Sequence, residues 1–245
     1  RRQPRGAAER SRSCGSTIKV TVASSGEGAT LDGQGQTRLF YLEAGGLFSL
    51  SGGCSLTLRG LTLVNGRANL GGVVYANGAG DIEIIESTVR DCSAVYDGGV
   101  VYARDSGAVS IIGSTVTGCS ADQDGGVVYA SSSGAVSIIN STVTGCSAGS
   151  RYGGVVHAEH SGAVAIIGST VTGCSAGKFG GAVYAGGSGA VSLIGSNVTG
   201  CLAQNGGVIY AEYSGAVSIM ARPCRAARLA ITAASSPRGT AMRSR

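Results

Sequence analysis

The sequence predicts an all-β fold, a right-handed parallel β-helix of about seven turns. Three observations predict it: a repeat of about 27 residues, three short strand patterns in each repeat, and a high content of glycine. Parallel strands on successive turns pair about 4.8 Å apart, so a side chain that packs well in one turn packs well in the next. The crossover rule for parallel strands favours the right-handed coil.

The repeat is marked by a pair of glycines. The pairs begin at Gly71, Gly98, Gly125, Gly153, Gly180 and Gly206. A cysteine recurs in step at Cys92, Cys119, Cys146, Cys174 and Cys201. An aromatic ring follows the glycines at Tyr75, Tyr102, Tyr129, Tyr184 and Tyr210, and His157 replaces it once. One repeat is therefore one structural unit.

Each repeat contains three short runs rich in Val, Ile and Thr, for example "GGVVYA", "GAVSIIG" and "STVTGCS". Apolar and polar residues alternate within these runs, which is typical of a strand with one buried face. Glycine makes up 43 of the 245 residues and disfavours helices. We expect two inward columns, formed by Val116, Val143, Val171 and Val198, and by Ile111, Ile138, Ile166 and Leu193.

Charge divides the chain into three parts. Residues 1–16 carry a net charge of +4, residues 221–245 carry +6, and residues 17–220 carry −5. We expect a disordered basic segment at 1–16, the β-helix at 17–220, and a basic non-repeat tail at 221–245. Because the repeat region is acidic, we expect no nucleic-acid partner. No apolar run is long enough for a membrane-spanning helix.

The tail at 221–245 lacks the repeat pattern. Codons can be chosen for residues 220–229 that spell another repeat when the reading frame is shifted by one nucleotide near Met220. We therefore interpret the tail as frame-shifted and disordered. A short basic capping helix around residues 225–234 is the alternative, because the last strands of a β-helix have unpaired backbone N–H and C=O groups unless another segment covers them.

The five recurring cysteines predict an inward column with one thiol per turn. Neighbouring thiols would lie within the range of a disulfide. We interpret them as small buried apolar side chains, with disulfides or a metal site as alternatives. Spacings of the CxxC type are absent, so the sequence leaves the redox state of the column open.

The acidic and imidazole side chains give no recognisable catalytic pattern. Asp97 and Asp124 are expected on adjacent turns, but the next copies are not acidic. The densest acidic group is interpreted as a solvated edge and contains Asp81, Glu83, Glu86 and Asp91. His157 is interpreted as a packed variant of Tyr, and His160 as a loop residue. We predict no catalytic, cofactor-binding or metal-binding residue, and no cofactor.

One surface pattern is regular enough to suggest a binding face. Threonines flank the inward valines on successive turns, at Thr115, Thr117, Thr142, Thr144, Thr170, Thr172 and Thr199. Such rows predict a ligand face or an ice-binding face, and high strand propensity of Thr is the alternative explanation. Asn140 and Asn197 begin N-glycosylation triplets, which favour an extracellular setting.

The segments "LDGQG" and "LTLRGLTLVNG", the repeated Gly-Gly-apolar-apolar-Tyr and the strand-turn "STVTGCSA" resemble the pectin-lyase-like β-helix superfamily. Within it they resemble most closely the repeats of polymorphic outer membrane proteins. The resemblance implies the β-helix over about residues 17–220. It leaves function open, because the superfamily includes lyases, hydrolases and adhesins.

We expect a non-catalytic extracellular or cell-surface repeat module with an adhesive or structural role. Its partner would be a glycan or another cell-surface protein, and its exposed end could associate with another copy end to end. The alternative is a carbohydrate-active lyase or hydrolase fragment that lacks its catalytic loops. Ice binding through the threonine rows is the third hypothesis.

Overall fold

The computed structural model describes residues 18–24, 28–43, 53–220 and 233–234. Within these ranges every regular element is a β-strand, and none is a helix that could cross a membrane. The predicted segment at 1–16 lies outside the described residues. So does the tail at 221–245, except for Ala233–Ala234, which pair with Ala211 and Glu212 as a short strand.

Four parallel sheets run along the coil. Sheet 1 contains Lys19–Ala23, Ser55–Arg59, Ile82–Ile85, Val109–Ile112, Val136–Ile139, Val164–Ile167, Val191–Ile194 and Val217–Met220. Sheet 2 contains Ala29–Asp32, Leu61–Val64, Thr88–Arg90, Thr115–Thr117, Thr142–Thr144, Thr170–Thr172 and Asn197–Thr199. Sheet 3 contains Arg67–Leu70, Ser93–Asp97, Ser120–Ala121, Ser147–Ala148 and Ser175–Ala176. Sheet 4 contains Phe40–Glu43, Val74–Asn77, Val101–Arg104, Val128–Ser131, Val156–Glu159, Val183–Gly186, Ile209–Glu212 and Ala233–Ala234.

The predicted parallel β-helix is confirmed. The three strands expected in each turn belong to sheets 1, 2 and 4, and sheet 3 adds a fourth strand of mostly two residues, too short to show alternation. About six regular turns run from Leu56 to Val217, and the strands of residues 19–43 stack on the first of them. Equivalent residues of adjacent turns are 26 to 28 positions apart.

The core consists of columns of identical or similar side chains. The Val116 and Ile111 columns are both buried as predicted, with exposures of 0 to 3%. Each such side chain stabilises the fold by about 1.5–3 kcal/mol relative to an exposed one. Because neighbouring turns present the same side chains, the packing solution of one turn is repeated along the coil.

Two columns of buried serines form hydrogen bonds to backbone N–H and C=O groups at the corners of the coil. They consist of Ser87, Ser114, Ser141, Ser169 and Ser196, and of Ser106, Ser133, Ser161 and Ser188, with Ser214 less buried at the end. In the first column, the Oγ of Ser141 accepts a hydrogen bond from the N–H of Ser114 at 3.1 Å. It also donates to the carbonyl of Ile139 at 2.8 Å. These serine hydroxyls are therefore committed to internal hydrogen bonds.

The glycine pairs are required by close backbone contact. Gly125 has a φ of +66°, which glycine adopts without strain. A Cβ on Gly126 would overlap the carbonyl oxygen of Gly154 in the next turn and the backbone of Ser147. Each Gly-Gly pair thus lies just before a strand of sheet 4, where the backbone packs closely against the next coil.

Candidate functional site

The predicted threonine face lies on the outer side of sheet 2. Thr115 pairs with Thr142, and Thr142 pairs with Thr170, while the valines between the rows are fully buried. The second row is formed in the same way by Thr117, Thr144, Thr172 and Thr199. All seven side chains are exposed or half-buried. The structure thus places them together on one surface; their role in binding stays a prediction.

The hydroxyls of this threonine face differ from those of the buried serines. Among the described residues, none of the seven has an intramolecular side-chain hydrogen bond. Neighbouring hydroxyls repeat about every 4.8 Å across the strands and roughly 6.7 Å along them. The β-branched side chain of Thr has few χ1 rotamers, so the rows are ordered before any ligand binds.

An aliphatic column borders the threonine face on the outer side of sheet 1. It consists of Ile112, Ile139, Ile167 and Ile194, which are half-buried or exposed and paired in register. The sequence did not reveal this column because the preceding isoleucine of each strand, such as Ile138, is in the core. Together the two sheets present hydroxyls beside methyl-rich side chains.

Both predicted glycosylation sites are accessible. Asn140 is exposed at the corner between sheets 1 and 2, with a φ of +48°. Asn197 is exposed in sheet 2 and pairs with Thr170, so it continues one threonine row. Both positions can present an amide to an enzyme from outside the coil.

The acidic group at residues 81–91 does not form a site. Glu86 makes an exposed ion pair with Arg59 at 3.0 Å, a partner that the sequence did not reveal. Glu83 accepts a hydrogen bond from the hydroxyl of Thr57 at 2.9 Å. Asp81 accepts one from the N–H of Ala108 at 2.8 Å. In the described part of the chain, no three His, Cys, Asp or Glu residues are placed to hold a metal ion.

A second cluster of charged groups lies beside sheet 4. Asp97 and Asp124 are neighbours on adjacent turns, as expected. The structure adds His157, whose Nδ1 lies 3.6 Å from an Asp124 carboxylate oxygen, and Arg151, whose Nε lies 3.5 Å from the other. The N–H of Tyr152 donates to Asp124 at 3.0 Å. We call Asp97, Asp124, Arg151 and His157 the carboxylate–imidazole cluster.

Several polar atoms of this cluster are buried without a hydrogen bond. Both ring nitrogens of His157 and one carboxylate oxygen of Asp97 have no partner within hydrogen-bonding distance among the described residues. Burial, followed by the negative charge of Asp124, raises the pKa of Asp97 to about 6. The Asp97 carboxyl therefore takes up a proton readily in mild acid.

The carboxylate–imidazole cluster is closed to large substrates. His157 is 3% exposed and Asp124 is 4% exposed, and the rings of Tyr129 and Tyr184 lie 4.9 and 4.8 Å from the imidazole. Arg151 is exposed at the surface. A polysaccharide chain cannot contact the imidazole or the Asp124 carboxylate in this geometry.

A sequence signal for this cluster exists but is subtle. The turn that places His157 in the tyrosine column also places Tyr152 where the aspartate column would continue. The ring of Tyr152 lies beside the imidazole of His157, at a centroid distance of 5.7 Å. His160, interpreted as a loop residue, is exposed.

The tyrosines form a stacked column outside sheet 4. Rings at Tyr41, Tyr75, Tyr102 and Tyr129 lie 4.9–5.3 Å apart and within 6° of parallel. Because the ring faces cover one another, only ring edges and hydroxyls point away from the stack. Tyr75 and Tyr102, which have a stacked ring on each side, therefore offer no free aromatic face on which a sugar could stack.

Known proteins give no further guide to the site. No protein-family model, curated protein or solved structure matches this chain. The likeness to the pectin-lyase-like superfamily and to polymorphic outer membrane proteins stays a prediction based on the quoted motifs. The fold alone is shown, and function must be argued from the surfaces described above.

Proposed function

We propose that this chain is a non-catalytic module of the extracellular space or the cell surface, with an adhesive role. Its binding surface is the threonine face, and its ligand is a glycan. The observation that carries this proposal is the contrast between hydroxyls: the buried serines are bonded internally, whereas the threonine hydroxyls are aligned and have no hydrogen-bond partner among the residues that the structure describes.

The chemistry of the face suits a carbohydrate. Sugars present hydroxyls together with C–H surfaces, and the face presents hydroxyl rows beside the aliphatic column. Each hydrogen bond contributes only about 0.5–1.5 kcal/mol net, so useful affinity requires several contacts at once. A rigid coil supplies them with little loss of conformational entropy, and a repeating ligand can engage successive turns.

The proposed extracellular setting rests on the exposed triplets at Asn140 and Asn197. A cell-surface protein is the other partner that this surface could bind. End-to-end association of the coil, predicted from the sequence, also stays a prediction.

A carbohydrate-active enzyme is the second candidate, and the carboxylate–imidazole cluster is the observation that favours it. Paired carboxyl groups with separated pKa values carry out glycoside hydrolysis in many enzymes. Burial of Asp124 and His157 counts against this role in the present chain. Release of reducing ends or unsaturated products from a polysaccharide would support the enzyme.

The binding proposal is tested with the full chain on a glycan array. In a fourfold variant, Thr142, Thr144, Thr170 and Thr172 are each replaced by Val. Valine keeps the branched shape and strand propensity but removes the hydroxyl. We expect binding to fall at least tenfold, while the free energy of unfolding changes by less than about 0.5 kcal/mol per site.

The matched control changes polar residues on a different face. Ser131→Ala with Glu159→Gln alters half-buried side chains of sheet 4 and should leave glycan binding unchanged. Equal binding by wild type and the fourfold variant would contradict the proposal. A threonine-dependent thermal hysteresis in cold solution, without glycan binding, would instead support ice binding.

A further inference from the structure

The five recurring cysteines form one continuous column between sheets 2 and 3. Pairing of Thr117 with Thr144 and of Ser120 with Ser147 places Cys119 directly next to Cys146. The N–H of Ser147 also donates to the carbonyl of Cys119 at 3.0 Å, and equivalent bonds link the other turns. All five thiols are free and buried.

The cysteines of neighbouring turns lie one above another. The residues on both sides of each cysteine pair in register with those of the next turn, so each thiol has a neighbouring thiol one turn away, from Cys92 to Cys201. Each also donates to the carbonyl two residues earlier, as Cys92 does to Arg90 at 3.3 Å. Residues one turn apart lie about 4.8 Å from each other, inside the 4.4–6.8 Å range of Cα separations in disulfides.

We propose that this column is a thiol–disulfide relay, in which a disulfide formed at one end of the coil moves along the cysteines by exchange. The oxidant is a small-molecule disulfide such as oxidised glutathione. The proposal is independent of what the threonine face binds.

Oxidation begins at the pair formed by Cys174 and Cys201. The Cys201 sulfur, as thiolate, attacks the oxidant, whose S–S bond breaks; one glutathione leaves and takes up the proton that Cys201 lost. The Cys174 sulfur then attacks the Cys201 sulfur of this mixed disulfide, and the second glutathione leaves with the Cys174 proton. In sum, two protein thiols are oxidised and one small disulfide is reduced to two thiols.

Transfer along the column needs no further oxidant. The thiolate of Cys146 attacks the Cys174 sulfur, a Cys146–Cys174 bond forms, and Cys201 leaves as a thiolate that takes up the Cys146 proton. Exchange of this kind proceeds with the attacking sulfur in line with the bond that breaks, and a column with one cysteine per turn, stacked in register, supplies that direction. Because the number of thiols is odd, one thiol always remains to attack.

The end of the column at Cys201 is where the oxidant enters. Cys201 is 5% exposed, whereas the other four thiols are fully buried. Its side-chain hydrogen bond with Cys174, together with burial, raises the pKa of Cys201. Because only the thiolate is nucleophilic, attack of Cys201 on the oxidant requires that this turn open to water. Because attack requires local opening, oxidation should be slow, and because Cys201 is the least enclosed of the five thiols it should start at this end of the column.

The test incubates the folded full chain with oxidised glutathione and maps disulfides over time by mass spectrometry of unreduced peptides. In wild type, we expect the Cys174–Cys201 disulfide first and the Cys92–Cys119 disulfide later. Cys146→Ala interrupts the column. In this variant Cys174–Cys201 should form at the wild-type rate, while Cys92–Cys119 should form at least tenfold more slowly.

Two further variants separate a blocked relay from a damaged fold. Cys146→Ser blocks exchange without leaving a cavity and should behave like Cys146→Ala. Cys92→Ala removes one end thiol but leaves the line from Cys119 to Cys201 intact, so Cys119–Cys146 should still form after Cys174–Cys201. Formation of Cys92–Cys119 at the same rate in wild type and both Cys146 variants would overturn the relay. So would the absence of any column disulfide in the folded protein.

Discussion

Replacing Asp97 by Asn is predicted to stabilise the protein at neutral pH. Asp97 is half-buried beside Asp124, and one of its carboxylate oxygens has no hydrogen-bond partner among the described residues. Burial and the neighbouring carboxylate raise its pKa from 3.8 to about 6. The ionised form is therefore less favourable in the folded protein than in the unfolded chain, and Asn removes that charge.

The size of the effect follows from the pKa. A rise of about two units, at 1.36 kcal/mol per unit, corresponds to roughly 3 kcal/mol. Because the side chain is only half-buried, solvent screening reduces this to about 1.5 kcal/mol. A raised carboxyl pKa means that the folded state binds more protons between pH 3.8 and about 6. The contribution of Asp97 to stability should thus be greatest below pH 3.8 and be lost as the pH rises through 6.

The assay is urea unfolding of the wild type and Asp97→Asn at pH 7.5 and pH 4.5. We expect the variant to be more stable by about 1.5 kcal/mol at pH 7.5, with most of this advantage lost at pH 4.5. Asp122→Asn, at an exposed aspartate of the next turn, is the control and should show no such difference. A variant that is equally stable or less stable than wild type at pH 7.5 would refute the reasoning.

Two further predictions concern the core and the turns. Ile138→Ala should lower the free energy of unfolding by about 2–5 kcal/mol because Ile138 is fully buried, whereas Ile139→Ala, on the outer face, should cost less than about 1 kcal/mol. Gly126→Ala should cost about 3–5 kcal/mol because its Cβ overlaps backbone atoms of the next turn. Gly145→Ala has free space around its Cβ but a φ of +62°, and should cost only about 1–2 kcal/mol. Denaturant unfolding checks both pairs, and equal losses within either pair would contradict the burial and contacts described.

The repeated features could be predicted from the sequence because stacking in register makes the local pattern periodic. The buried Val116 column, the tyrosine column around Tyr102 and the threonine face all follow from residues that recur every 26 to 28 positions. Because side chains along a strand point alternately inward and outward, the position of a residue in its strand decides whether its side chain is buried or exposed. Sheet 3 was not predicted, since a Ser-Ala pair such as Ser120–Ala121 is too short to alternate.

The sequence predicted only part of the carboxylate–imidazole cluster, the neighbouring Asp97 and Asp124, because the rest of the cluster breaks the period. Asp124, Arg151 and His157 come from different positions of successive repeats, and their contact depends on how the loops between sheets 3 and 4 fold. The hydrogen-bonding of the buried serines was likewise invisible. Ser141 reads as a turn residue in the sequence, and only the register shows that its hydroxyl bonds to the N–H of Ser114.

The most direct test of the account measures binding and turnover together. The full chain is incubated with a panel of insoluble polysaccharides that includes polygalacturonate gel, and both the bound protein and the released reducing or unsaturated ends are quantified. The account predicts retention on at least one polysaccharide, lost in the fourfold threonine-to-valine variant, with no product released. Product release that disappears in Asp124→Asn but persists in the threonine variant would contradict it and identify the protein as an enzyme.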